Sequence, residues 1–361
     1  MQAVDSPEKL IVSSAQQLSA KRADRMDWID YAKGFAIILV VFRHAVVGFE
    51  RAGLEVPTSL FNIQEFFFNF RMPVFFILSG IFLQRAVSKM SPQKMLKKKV
   101  TTLLYPYFLW TTVFITLQIV LSDYTNATRS WKDYAFILTQ PRNLDHMWYL
   151  LALFNTNVLF ILLHKLNGKY RVVHLFISVA LHLISYVVRD YSLFSDLLYH
   201  YIFLFIGTAV SDLLFRQDVE GGLTKKSMIA QFMAMLPVFV AGQLLWLTYK
   251  ESIEALLLPN LVIILIASYT FYLFVKLMWT FKVFTSLTII GRHSLYIYIL
   301  HLFVISAFRI ICMKVFGVEN VYLLVMGSLI LGLTIPVIFF KLTKNYGASY
   351  LFSLEKPRQR L

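Results

Sequence analysis

The sequence predicts an all-α polytopic membrane protein, about ten transmembrane helices in one bundle, with the N- and C-termini in the cytoplasm. Three observations lead there. Of 361 residues, 58% are apolar and only 15% charged, with a mean hydropathy of +0.64, whereas soluble domains run at about 45–50% apolar and about 25% charged. Apolar runs of about 20 residues, enough to cross a hydrocarbon layer of ~30 Å, recur along the chain. The basic residues collect on alternate connections, as expected where short cytoplasmic loops retain Lys and Arg. A soluble enzyme, a secreted disulfide scaffold and a disordered chain are excluded.

In chain order, residues 1–27 read as a polar cytoplasmic tail. Asp5, Glu8, Lys9, Lys21, Arg22 and Arg25 precede any apolar core, so this segment is not expected to be a cleaved signal peptide. Hydropathy places spans at 29–49, 66–84, 101–122, 146–164, 172–188, 197–215, 229–248, 256–276, 287–311 and 321–341, within one transmembrane domain of 28–342. Residues 343–361 then form a C-terminal cytoplasmic tail. With the N-terminus inside, the inner segments hold 23 Lys and Arg and the outer loops 7. The net charge of +15 is therefore topological. A nucleic-acid surface needs a contiguous basic face, so no nucleic-acid partner is expected and membrane lipids are. The lone cysteine, Cys312, lies in an apolar run and leaves no internal disulfide.

A titratable side chain inside a span costs about 2.5–3.5 kcal/mol unless it faces a cavity or a partner, so function is sought there. The first span holds Asp30, Lys33, Arg43 and His44. Lys33 and His44 are eleven residues apart, which is three helical turns plus about 20°, so they share a face about 16 Å apart. Asp30 lies on the same stripe. Asp30 and Lys33 read either as snorkelling anchors or as site residues. His44 reads either as a packing residue or as a neutral imidazole that removes a proton from an attacking hydroxyl.

In the second span, Pro73 frees a backbone carbonyl, and Ser79-Gly80 permits close helix approach. Arg71 needs an acid or a ligand anion near the outer face. The fourth span opens with His146-Met147-Trp148, read either as an aromatic belt or as an outer mouth where His146 and Trp148 assist an acceptor. In the ninth, Ser294, Tyr298 and His301 form one polar stripe, and Arg292 near the inner end is placed to meet a phosphate. His293 is read as interfacial, and His174, His182 and His200 lack such a pattern. No HExxH, paired Cys/His, GxGxxG, phosphate-binding loop or GxSxG motif occurs, and no metal is expected.

The stretch from Asp30 to His44, with a basic residue, ten intervening residues and a histidine, resembles the opening helix of the acyltransferase type three family of integral membrane proteins. Phe75-Phe76-Ile77-Leu78-Ser79-Gly80 is similar to its second-span signature. Tyr105-Pro106-Tyr107 is similar to its third-span motif, His146-Met147-Trp148-Tyr149-Leu150 to its fourth, and Gly291-Arg292-His293-Ser294 through Tyr298 to His301 to its late motif. The matches fall in the family's order over residues 30–301. One departure precedes the third span, where the family's two arginines three apart are replaced by Lys97-Lys98-Lys99. Lysine supplies point charge without bidentate phosphate binding, and the run reads equally as anchoring against anionic lipid.

The resemblance implies an O-acyltransferase of a bacterial inner membrane. It would move an acyl group, most often acetyl, from cytoplasmic acetyl-CoA or another acyl-CoA to a hydroxyl of an exported or lipid-linked carbohydrate, in concert with glycan-export machinery. His44 would be catalytic. Lys33, Arg292, Lys98 and Lys99 would contact the donor, and Asp30, Arg43, Arg71, Ser79, His146, Trp148, Tyr298 and His301 would support the acceptor. The rival readings are a glycolipid transporter or flippase using the same buried charges, and a non-catalytic sensor or scaffold.

Overall fold

The computed structural model describes residues 26–167, 170–220 and 222–354; most of the N-terminal tail and residues 355–361 of the C-terminal one lie outside them. Every regular element among the described residues is helical. The chain runs through α1 (Asp27–Glu50), α2 (Thr58–Phe66), α3 (Phe68–Lys89), α4 (Pro92–Lys99) and α5 (Tyr105–Val120). After the short α6 (Phe136–Thr139) come α7 (Trp148–Leu163), α8 (Arg171–Ile184), α9 (Ser192–Glu220), α10 (Lys225–Thr248), α11 (Lys250–Ala255) and α12 (Leu257–Thr280). The chain closes with α13 (Ser286–Arg292), α14 (Ser294–Ile310) and α15 (Val321–Asn345).

Among the described residues nine helical segments are long and apolar enough to cross a membrane. The expected fifth span, 172–188, instead forms α8, 14 residues long, or about 21 Å, which is short of the ~30 Å hydrocarbon layer. It ends where the Ser185 hydroxyl donates to the His182 carbonyl at 2.6 Å and the chain breaks into turns. The face that α8 buries is polar: His174, Ser178 and His182, spaced i, i+4, i+8. His174 Nε2 lies 2.6 Å from the Tyr201 hydroxyl, and His182 Nδ1 donates to the Tyr199 carbonyl at 2.8 Å, so each histidine is tied to α9 through one ring nitrogen.

Local chemistry sets the element boundaries. Ser91, Thr224 and Asn320 cap α4, α10 and α15 by accepting from the backbone N–H three residues on. Pro92 stands in the first turn of α4, where a missing N–H costs nothing. Lys97, Lys98 and Lys99 fill the last turn of α4, where the Thr101 and Thr102 hydroxyls donate to the Lys98 carbonyl, and a π-helical turn over Val100–Leu104 carries the chain into α5.

The core is drawn chiefly from α1, α3, α7, α9, α12 and α14. Two pairs of glycines bring backbones together there. Gly80 of α3 faces the Leu204 carbonyl while Gly207 of α9 faces that of Ile77, and Gly34 of α1 faces the Leu287 carbonyl while Gly291 of α13 faces that of Asp30. Small residues permit this approach where lipid offers no hydrophobic drive to associate. The peripheral α10 and α15 bury little and turn Val238, Leu244, Leu323 and Ile330 outward, as lipid-facing helices do.

Candidate active site

The first helix carries Lys33 and His44 on one face, and each borders a different cavity. His44 is half-buried in the wall of a cleft of about 930 Å³, together with Arg43, Arg71, Arg142, His146, Trp148 and Tyr298. Lys33 borders a cavity of about 360 Å³, together with Ser79, Lys98, Lys99 and Ser294. Its ammonium sits over the Phe82 ring at 4.9 Å. Tyr298 borders both spaces, and its hydroxyl donates to the His146 backbone carbonyl. The two cavities therefore meet at one aromatic wall.

Three histidines from three segments converge at the cleft. The His44 ring centroid is 5.1 Å from that of His301 and 6.2 Å from that of His146, which are 5.0 Å from each other. A carbonyl oxygen only accepts, so His301 donates from Nδ1 to Ile297 and Tyr298 at 3.0 and 2.8 Å, and His146 donates from Nε2 to Ile299 at 3.2 Å. Their other nitrogens, Nε2 of His301 and Nδ1 of His146, are buried without a hydrogen-bond partner. As neutral rings they place bare acceptors beside His44. No hydrogen bond to either His44 nitrogen occurs among the described residues, and that ring is left to act on whatever occupies the cleft.

Most cations of the cleft are matched. Arg43 donates to Gln64 and pairs with Glu65 at 3.0 Å, and Glu65 also receives Lys250 at 2.7 Å. Arg51 pairs with Asp145 at 3.6 Å. Arg142 donates to Asp196 at 2.7 Å and lies over the Trp148 ring at 4.2 Å. Burial alone would lower the Arg142 pKa, but the Asp196 carboxylate outweighs it and holds the guanidinium above its ordinary range. Arg71 is different. It is 5% exposed, its one hydrogen bond is a long 3.4 Å contact to the Leu39 carbonyl, and its Nε has no partner.

The residues expected from the sequence thus divide. His44, Arg43, Arg71, His146, Trp148 and Tyr298 come together in the cleft, and Lys33, Ser79, Lys98 and Lys99 in the smaller cavity. His301 borders neither but packs on His44. Arg292 and Asp30 are at neither cavity: Arg292 Nε donates to Asp30 at 3.3 Å, and its other end reaches Asp27 at 3.9 Å. The pairing follows from the contact between α1 and α13 at Gly291, which sets Arg292 against the first turn of α1.

Sequence reasoning missed Glu65, Asp196, Tyr199, His200 and Lys250. Glu65 and Asp196 stand one residue before the expected spans 66–84 and 197–215, so the rule for intramembrane charges passed over them. Their helical segments begin earlier, at Thr58 and Ser192. His200, without pattern in the sequence, donates from Nδ1 to the Asp196 carbonyl at 2.8 Å and stacks on Phe76 at 4.5 Å.

A family model described as an acyltransferase domain matches residues 26–341. No curated protein and no solved structure matches the chain. The match takes in α1 through most of α15, and with them both cavities, the three converging histidines and the glycine contacts that bring them together. From this nearly full-length match, the chain belongs to the acyltransferase type three family of membrane acyltransferases.

Proposed function

We propose that the protein moves an acyl group, acetyl in the simplest case, from cytoplasmic acyl-CoA to a hydroxyl of an exported or lipid-linked carbohydrate, in a bacterial inner membrane. The observation that carries this reading is that His44 and Lys33, on one face of α1, border two separate cavities that share Tyr298. A thioester donor needs cations for its nucleotide phosphates, and the smaller cavity has Lys33, Lys98 and Lys99 in its wall. The pantetheine arm then spans the roughly 16 Å between Lys33 and His44. A sugar hydroxyl needs a base, and His44, in the cleft wall with neither ring nitrogen in a hydrogen bond among the described residues, is the group we assign to serve.

In the reaction, the acceptor oxygen attacks the thioester carbonyl as His44 removes its proton. The carbon–sulfur bond breaks, coenzyme A leaves as a thiolate, and the proton held by His44 returns to the sulfur. An ester and free coenzyme A result. The direction of the donor rests on the basic connection after α3, with Lys89, Lys94, Lys97, Lys98 and Lys99, since short cytoplasmic loops retain Lys and Arg.

Replacing His44 with Ala tests the proposal. Acyl content of the cell-surface glycan falls by about 10²–10⁴, the usual contribution of a positioned base, with protein level and glycan export intact. Lost glycan export would indicate a flippase instead, and acylation near the wild-type level would remove His44 from the chemistry.

A further inference from the structure

Arg71 is a buried cation in the cleft with no carboxylate within ion-pair distance among the described residues; the nearby Glu65 is already paired with Arg43 and Lys250. Arg43 and Lys250 share Glu65, Arg142 has Asp196 and Arg51 has Asp145. Arg189 also borders the cleft, but it is exposed and lies over its neighbour Tyr186 at 4.5 Å. Arg71 is 5% exposed, yet its guanidinium meets only the Leu39 carbonyl at 3.4 Å and leaves Nε unsatisfied. A protein that desolvates a guanidinium normally returns the loss through a carboxylate and a full set of acceptors. Here that set of acceptors is incomplete, in a residue that borders the cleft.

We infer that Arg71 binds an oxyanion carried by the acceptor, so that the hydroxyl presented to His44 belongs to an acidic saccharide bearing a carboxylate or a phosphate. The inference rests on the O-acyl-transfer reading above and deepens it. A planar fork of donors suits either anion bidentately. The position is also fixed: Arg71 and Arg43 lie over one ring, Phe68, at 5.6 and 4.2 Å from its centroid, and Arg43 is tied to Glu65. The charge of Arg43 is thereby spent within the protein while that of Arg71 is not. Trp148 and Tyr199 line the same cleft and add aromatic surface for a sugar ring beside the anion. The donor's phosphates have a separate set of cations in the smaller cavity, so Arg71 is not needed for them.

The test uses the full-length protein in lipid nanodiscs with acetyl-CoA and three acceptors: methyl glucoside, methyl glucuronide and glucose 1-phosphate. The wild type favours a charged acceptor over methyl glucoside in kcat/KM, and which one it favours tells a ring carboxylate from a phosphate at the anomeric carbon. In Arg71→Gln the charged-to-neutral ratio falls about 10- to 100-fold, the factor a charge-assisted hydrogen bond supplies, while Arg71→Lys keeps part of it. An equal fall for charged and neutral acceptors overturns the inference and assigns Arg71 to the reaction's own oxyanion or to folding. Indifference to acceptor charge in wild type and variant alike overturns it too. Transfer to no saccharide at all overturns the transfer reading and this inference with it. If Arg71→Gln does not accumulate, the wild type decides: inhibition of transfer by inorganic phosphate supports an anion site, and its absence together with a ratio near one refutes it.

Discussion

The Tyr298 hydroxyl donates to the backbone carbonyl of His146, and the same ring separates the cleft around His44 from the cavity around Lys33. Its neighbour Tyr149, at 5.1 Å between ring centroids, borders the smaller cavity as well. The wall between donor and acceptor spaces is therefore aromatic, and the Tyr298 ring is held by a main-chain oxygen of the segment that supplies His146.

Removing the Tyr298 ring should open that wall to water. In Tyr298→Ala, release of free thiol from acetyl-CoA without ester formation rises severalfold relative to transfer, while Tyr298→Phe, which keeps the ring and deletes only the hydrogen bond, stays close to wild type. Thiol release and acceptor acylation measured on the same samples check this. An unchanged ratio in Tyr298→Ala would mean that the ring does not divide the two spaces.

For Lys33, the geometry predicts a donor effect. Lys33→Gln raises KM for acetyl-CoA by about tenfold, as expected from loss of one charged contact, and moves KM for the acceptor much less. Equal changes in both constants would argue that Lys33 supports the bundle and not the donor.

Arg142 and Asp196 form an ion pair whose carboxylate is buried and whose guanidinium is 48% exposed on its side chain. Arg142→Ala strands the carboxylate. Full burial would make that cost about 3–5 kcal/mol; with the arginine half in solvent, about 1–2 kcal/mol is expected. Adding Asp196→Asn removes the stranded charge and recovers most of the loss. Thermal unfolding in detergent reads both, and a double variant no more stable than Arg142→Ala would sink the argument.

The contact between α1 and α13 is as tight as backbone allows. A Cβ on Gly291 would lie 1.7 Å from the Asp30 carbonyl oxygen, whereas one on Gly48, in the same α1, would meet nothing within 4 Å. Gly291→Ala should therefore force the helices apart and cut the yield of folded protein and transfer together. Gly48→Ala should be neutral or more stable by up to about 1 kcal/mol, the gain in helix propensity. Size-exclusion profiles of both proteins provide the comparison.

Composition and period alone determined that this chain is a multi-pass helical membrane protein, because apolar runs long enough to cross the bilayer leave few other structures possible. They also determined that Lys33 and His44 share a face, since one helix carries both. Spacing within a helix is local, so it can be read directly. What only the tertiary structure decided is what those faces meet. It brought His146 and His301 from distant segments to His44, set Arg292 against Asp30 and away from the cavities, supplied Glu65 and Asp196 as ion-pair partners for Arg43 and Arg142, and left Arg71 out of any ion pair among the described residues. Those outcomes depend on glycine contacts between helices far apart in sequence, at which a single methyl group changes the approach, and no window along the chain contains both sides of such a contact.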